Sequence, residues 1–254
     1  MAAFSKDGKE LLASTKDGVP QWWNFETQAA RPIPGYLGKL SHVISVDLSR
    51  DRRTAALGLR NGEIQLLEID SGQPLGQPLR GHQGAVRSLA FSPAGDKLAS
   101  GGTDKTVMVW DVASQQGLGM CPEHKGAVFG VAISPNGQTL ASGCGSETIK
   151  LWTLGNVSTG SLASISYHSS VIRTLAFSVE GRTLVSGSED NTVKLWNLVT
   201  RREVASFKYE AHVRLVTFSP DGNALAVITD NGTLRILRAV SFEEAQQDWR
   251  EFLR

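Results

Sequence analysis

Two sets of residues in this chain carry the side chains of a hydrolase. His82, Ser100 and Asp104 form one and His168, Ser186 and Asp190 the other, each offering the hydroxyl, imidazole and carboxylate of a nucleophilic triad. A third set, Cys121, His124 and Cys144, has ligands that suit a soft metal ion, although the paired Cys spacings of a zinc site are absent. Gly101-Gly102 and Gly143-Cys144-Gly145 resemble phosphate loops, but neither leads into a Lys-Ser/Thr ending or a helix. A triad is recognised by geometry and role rather than residue type, so the elements that hold these groups decide what they do.

Those elements come from a repeat. An apolar residue, Ser and a turn recur at Phe4, Leu48, Phe91, Ile133, Phe177 and Phe218, anchors 44, 43, 42, 44 and 41 residues apart. Nineteen residues after each anchor stands Trp23, Leu67, Trp110, Trp152, Trp196 or Leu237, with no insertion in any copy. Inside the third copy, Val86 to Phe91, Lys97 to Gly101 and Thr106 to Asp111 read as short strands between Pro, Gly, Asn and Asp turns, and a fourth fits Gly76 to Leu79. Four short antiparallel strands in about 40 to 45 residues is the arithmetic of a propeller blade.

Composition removes several function classes. The 254 residues are 41% apolar and 20% charged, with 26 Lys and Arg against 25 Asp and Glu, which rules out a surface whose overall charge drives nucleic-acid or membrane binding. The start MAAFSKDGKE has no positively charged segment followed by an apolar core, and no run approaches the roughly 18 to 20 apolar residues that span a bilayer, so export and membrane insertion are not expected. Two cysteines make no disulfide framework, which fits a cytoplasmic protein.

From Phe4 to about Arg238 the chain resembles the WD-repeat β-propeller family, most closely in GHQGAVRSLAFSPAGDKLASGGTDKTVMVWD from Gly81 to Asp111. The resemblance implies an all-β propeller of six repeats with four-stranded antiparallel blades, the first and last incomplete, in a ring of six or seven blades. It implies a buried hydrogen-bond chain through His82, Ser100, Asp104 and Trp110, and another through His168, Ser186, Asp190 and Trp196. His124, Ser142 and Trp152 form a shortened version, because Ser146 stands where Asp is expected. On this reading the triads are architecture, and no catalytic residue, cofactor or metal is expected. His42 and His212 stand six residues before their anchors rather than nine and belong to no network.

The chain opens three residues before its first anchor and the sixth repeat ends after its third strand, so Met1 is expected to truncate a longer parent that supplies the missing strand. Residues 1–240 form the propeller. Residues 241–254 are expected to form an amphipathic helix, with Ser241 and Glu244 as a capping box and Phe242, Ala245, Trp249 and Phe252 on its apolar face. That helix docks on the last blade or binds a partner.

Four residues before the anchors stand Ile44, Arg87, Phe129, Arg173 and Arg214, which the family's layout turns toward the wider mouth of the channel. The turn positions Lys16, Arg60, Thr103, Gly145, Glu189 and Asp230 border the same face. Such a set suits an acidic or aromatic-bearing peptide; the other reading is a solvated rim paired with its own acids. The expected function is a non-enzymatic interaction scaffold or sensor that binds a protein or peptide at that mouth. The alternatives are a nucleic-acid or small-ligand module and a metal-dependent enzyme using the fourth repeat. Ser71 to Gly95 also resembles the repeat arrays of bacterial multidomain signalling proteins, which implies a propeller that restrains or releases an attached effector.

Overall fold

The computed structural model describes residues 2–4, 9–14, 20–33, 42–121, 124–156, 160–166, 168–219 and 221–238. The expected helix at 241–254 lies outside them. Every regular element among the described residues is a strand, and the strands form six antiparallel sheets in chain order.

The first sheet is β1 (Ala2–Phe4), β2 (Glu10–Ser14), β3 (Pro20–Asn24) and β4 (Ala29–Pro32), so its innermost strand is short rather than missing. The second holds β5 (Val43–Leu48), β6 (Thr54–Leu59) and β7 (Ile64–Glu68). The segment Gly76 to Leu79, expected as the fourth strand of the third copy, falls instead on this second sheet, where it is reduced to the isolated bridges Ile64 to Leu79 and Leu67 to Pro74. Next come β8 (Val86–Phe91), β9 (Lys97–Gly102), β10 (Val107–Asp111) and β11 (Gly117–Cys121), then β12 (Val128–Ile133), β13 (Thr139–Cys144), β14 (Thr148–Thr153) and β15 (Ala163–Ser166). The fifth sheet is β16 (Ile172–Phe177), β17 (Thr183–Ser188), β18 (Thr192–Asn197) and β19 (Arg202–Lys208). The sixth has only β20 (Val213–Phe218), β21 (Ala224–Thr229) and β22 (Leu234–Arg238).

The anchor motif has a physical reason. After the innermost strand of five sheets the anchor serine turns its hydroxyl inward to accept the backbone N–H at the start of the next strand, at 2.9–3.1 Å (Ser49, Ser92, Ser134, Ser178 and Ser219). The hairpin is thereby closed by a side chain, and the glycines at 95, 137, 181 and 222 supply the positive φ that the turn requires.

The chain divides into two compact units, Met1–Ile172 and Arg173–Arg254. Within the first, apolar clusters fill the spaces between neighbouring sheets: Leu12, Trp22, Val46 and Leu57 between sheets one and two, Ile64, Val86, Leu89 and Leu98 between two and three, and Val109, Val128, Val131 and Leu140 between three and four. In the second unit Val185, Val193, Val213, Val216 and Val227 do the same for sheets five and six. Close approach depends on glycine: a Cβ on Gly101 would stand 2.5 Å from Val128, and one on Gly187 2.5 Å from Val213.

Candidate functional site

In the third sheet the hydrolase-like residues meet as a closed chain. Trp110 Nε1–H donates to Ser100 Oγ at 2.8 Å, Ser100 Oγ lies 2.8 Å from His82 Nε2, and His82 Nδ1 lies 2.9 Å from Asp104 Oδ2. An ionised carboxylate has no proton to give, so His82 donates through Nδ1. Asp104 also accepts the Gln83 N–H at 2.8 Å and the Thr106 hydroxyl at 2.8 Å. Burial pushes its carboxyl up, but the charge and hydrogen bonds of His82, Gln83 and Thr106 outweigh this and hold it below the usual range. Ser100 is 0% exposed, with its oxygen engaged by an indole and an imidazole. A hydroxyl so enclosed is out of reach of a substrate. Gly102 makes the arrangement possible, because a Cβ there would stand 2.4 Å from Asp104 Oδ1 and 2.6 Å from His82 Nδ1.

The fourth sheet keeps the inner half of this chain. Trp152 Nε1–H donates to Ser142 Oγ at 2.8 Å, and Ser142 lies 2.7 Å from His124 Nε2. Where the third sheet has Gly102 and Asp104, the fourth has Cys144 and Ser146, and the thiol lies 3.0 Å from the Ser146 hydroxyl. Cys144 also reaches the Thr148 carbonyl at 3.5 Å. Cys121 and Cys144 form no disulfide and are both buried in the apolar space between sheets three and four. Among the described residues no three His, Cys, Asp or Glu side chains group as metal ligands. In the second unit Trp196 Nε1–H donates to Ser186 Oγ at 2.8 Å, and Asp190 accepts the Thr192 hydroxyl at 2.6 Å.

In sheets four to six, at the end where the innermost strand begins, the residue four before the anchor lies beside the turn that follows the second strand. In the second unit this juxtaposition is ionic: Arg173 pairs with Glu189, and Arg214 with Asp230. In the first unit Phe129 lies against Gly145, its ring 3.5 Å from where a Cβ would be. The turns are pinned by backbone bonds, Arg60 N–H to the His42 carbonyl at 3.1 Å, Thr103 N–H to Ala85 at 2.9 Å and Gly145 N–H to Ala127 at 2.8 Å. Ile44 is half-buried and Arg87 exposed at the same end.

The family model described as WD domain, G-beta repeat matches residues 72–111, 116–153 and 160–197, just under half of the chain. Residues 72–197 thus carry three WD repeats. The matched copies are the third, fourth and fifth blades, those that keep the buried tryptophan. Similar proteins include WD repeat-containing protein 3 of Mus musculus, 29% identical over 43% of this chain and 11% of the relative. Apoptotic protease-activating factor 1 of Rattus norvegicus is 31% identical over 42% of this chain and 8% of its own length. Periodic tryptophan protein 2 homolog of Schizosaccharomyces pombe (strain 972 / ATCC 24843) is 46% identical over 22% of this chain and 6% of the relative. The match thus spans only a small part of each of these relatives.

Sequence reasoning missed the contacts between blades. Ser45 Oγ–H donates to the Val86 carbonyl at 2.8 Å, Val131 N–H donates to Ser88 Oγ at 3.0 Å, and Val216 N–H donates to Thr174 Oγ1 at 3.2 Å. All three hydroxyls stand three residues before their anchors, a periodic signal that Gly130 and Leu215 interrupt. Asp47 adds a fourth tie, accepting the Phe91 N–H at 2.7 Å. Burial pushes its carboxyl up to about 6, against the pull of the Phe91 and Leu48 N–H groups and of Arg52.

Proposed function

We propose that this chain is a non-enzymatic interaction module that binds a protein or peptide partner at the blade ends where the innermost strands begin. The observation that carries this reading is the set of pinned turns there, which hold Arg60 and brace the starts of the strands that carry Arg87 and Phe129 at an accessible edge. Arg and aromatic side chains on a preorganised scaffold are the usual anchors of protein recognition, because little conformational freedom is lost on binding. The engagement of Ser100 by Trp110 and His82 supports a structural role for the triad-like residues. WD repeats in other proteins are typically interaction modules, and a cytoplasmic scaffold or sensor, free or attached to an effector, fits this chain.

Affinity capture from the native cell extract tests the reading, comparing the wild-type chain with the Arg60→Ala, Arg87→Ala, Phe129→Ala triple variant after circular dichroism has shown both folded. The expected result is a specific protein partner held by the wild type and lost by the triple variant. An identical set of partners for both chains overturns it.

A further inference from the structure

The paired positions at the blade ends differ in charge balance between the two units. In blades five and six the turn brings an acid to the cation, Glu189 to Arg173 and Asp230 to Arg214, so each blade end neutralises itself. In blades two to four the same turn position holds Arg60, Thr103 and Gly145, and none of these is an acid. Two more cations join that end, Lys105 in the turn after β9 and Lys125 in the loop before β12, both exposed. No ion pair or side-chain hydrogen bond engages Arg60, Arg87, Lys105 or Lys125 among the described residues.

The nearby acids are already committed. Glu63, on the same turn as Arg60, pairs with Arg80 at 2.8 Å and accepts from Asn61 at 3.0 Å. Asp104 is consumed by His82, Gln83 and Thr106. Glu147, exposed in the turn after β13, is the acid that remains uncommitted at this end among the described residues. The surface is continuous between blades. A Cβ on Gly62 would stand 2.5 Å from the His82 carbonyl, so the Arg60 turn abuts the loop leading to Arg87, and the Val131 to Ser88 bond ties blade four alongside. Phe129, half-buried against Gly145, adds an apolar spot beside these charges.

Resting on the proposed interaction role, we infer that the partner is an acidic peptide carrying an aromatic or aliphatic side chain, read by blades two to four. Arg60 and Arg87 take its carboxylates as forked donors, Lys105 and Lys125 supply longer-range attraction, and Phe129 packs the apolar side chain. Four cations and one aromatic ring fall short of the roughly 6–10 phosphate contacts and serial stacking platforms of nucleic-acid binders. The self-neutralised pairs of blades five and six take no part in charge recognition.

Fluorescence anisotropy with the full chain tests this using short labelled probes: a Glu-rich peptide with one central Phe, the same peptide with Ser for Phe, a Lys-rich peptide with the same Phe, and oligodeoxythymidine. The Glu-rich Phe peptide is expected to bind about tenfold tighter than the Lys-rich one and to lose about tenfold on combining Arg60→Glu with Arg87→Glu. Phe129→Ala and removal of the peptide's Phe are expected to cost similar, non-additive amounts, whereas Arg214→Ala leaves affinity unchanged. Melting curves matched to wild type show that these exposed-site variants remain folded. Preference for the Lys-rich peptide or oligodeoxythymidine overturns the inference. So does failure of the Glu-rich Phe peptide to displace a captured partner that depends on Arg60, Arg87 and Phe129, an outcome that leaves the interaction role standing. A partner indifferent to those three residues overturns that role itself.

Discussion

Blades three and four begin their hydrogen-bond chains alike and finish them differently. Trp110, Ser100 and His82 in one match Trp152, Ser142 and His124 in the other, with the indole donating to the serine at 2.8 Å in both. Beyond the imidazole, blade three places Asp104 against a bare Gly102, while blade four fills the glycine's position with Cys144 and turns Ser146 toward the thiol. The exchange is therefore of a pair. In blade three the carboxylate lies beside a bare glycine, and in blade four a thiol fills that position beside a smaller hydroxyl.

The largest test of the shared half is truncation of each indole. Trp110→Ala and Trp152→Ala are each expected to cost about 3–5 kcal/mol in urea unfolding, since both rings fill the space between sheets. Costs differing by more than a factor of about two would break the equivalence of the inner halves.

The next test addresses the pair. Gly102→Cys forces a Cβ against Asp104 and His82, at an expected cost of about 1–3 kcal/mol, and adding Asp104→Ser to rebuild the blade-four pair should recover most of it. Strict additivity in this double-mutant cycle would show that positions 102 and 104 are independent and end the comparison as drawn.

The smallest effects come from titration, and they have opposite signs. Asp104 is held below its usual range in the fold, so its stabilisation is complete above the ordinary value of 3.8 and is lost as the pH falls through the lower folded value. Asp104→Asn should therefore flatten the acid limb of the unfolding curve. Asp47 is pushed up to about 6, so the fold holds a proton that the unfolded chain releases, and stability falls as the pH rises from 3.8 toward 6. Asp47 keeps some contact with water, which limits this to about 1–2 kcal/mol, and Asp47→Asn should abolish it. A wild-type midpoint that rises steadily across that interval and an Asp47→Asn curve that overlays it would sink the assignment.

Much of this was legible in the sequence because the period is rigid. A constant offset from anchor to Trp110, Trp152 and Trp196 fixes which residues share a strand, and the family resemblance then supplies the bonds among them. The sequence showed Cys144 only as a candidate ligand beside Cys121 and His124, since its place in the position of Gly102 is a property of three dimensions. Glu189 and Asp230 stood in the turn positions bordering Arg173 and Arg214, so their ion pairs could be anticipated as the solvated reading of the rim. Ser45, Ser88 and Thr174 were harder. Their common offset is broken in two repeats, and serine in a strand carries no signal of what it faces until the neighbouring sheet is in place.

Those hydroxyls, with Asp47, share a direction along the chain. Ser45 and Asp47 precede Val86 and Phe91, Ser88 precedes Val131, and Thr174 precedes Val216. In each case the earlier repeat carries the group and the later one the backbone that meets it. A chain made from its N-terminus thus presents the side chain before the strand it will fasten, and proteins synthesised in that order fold their early segments first. Each new strand emerges to find its edge partner waiting, which shortens the time an unsatisfied backbone is open to another molecule during synthesis.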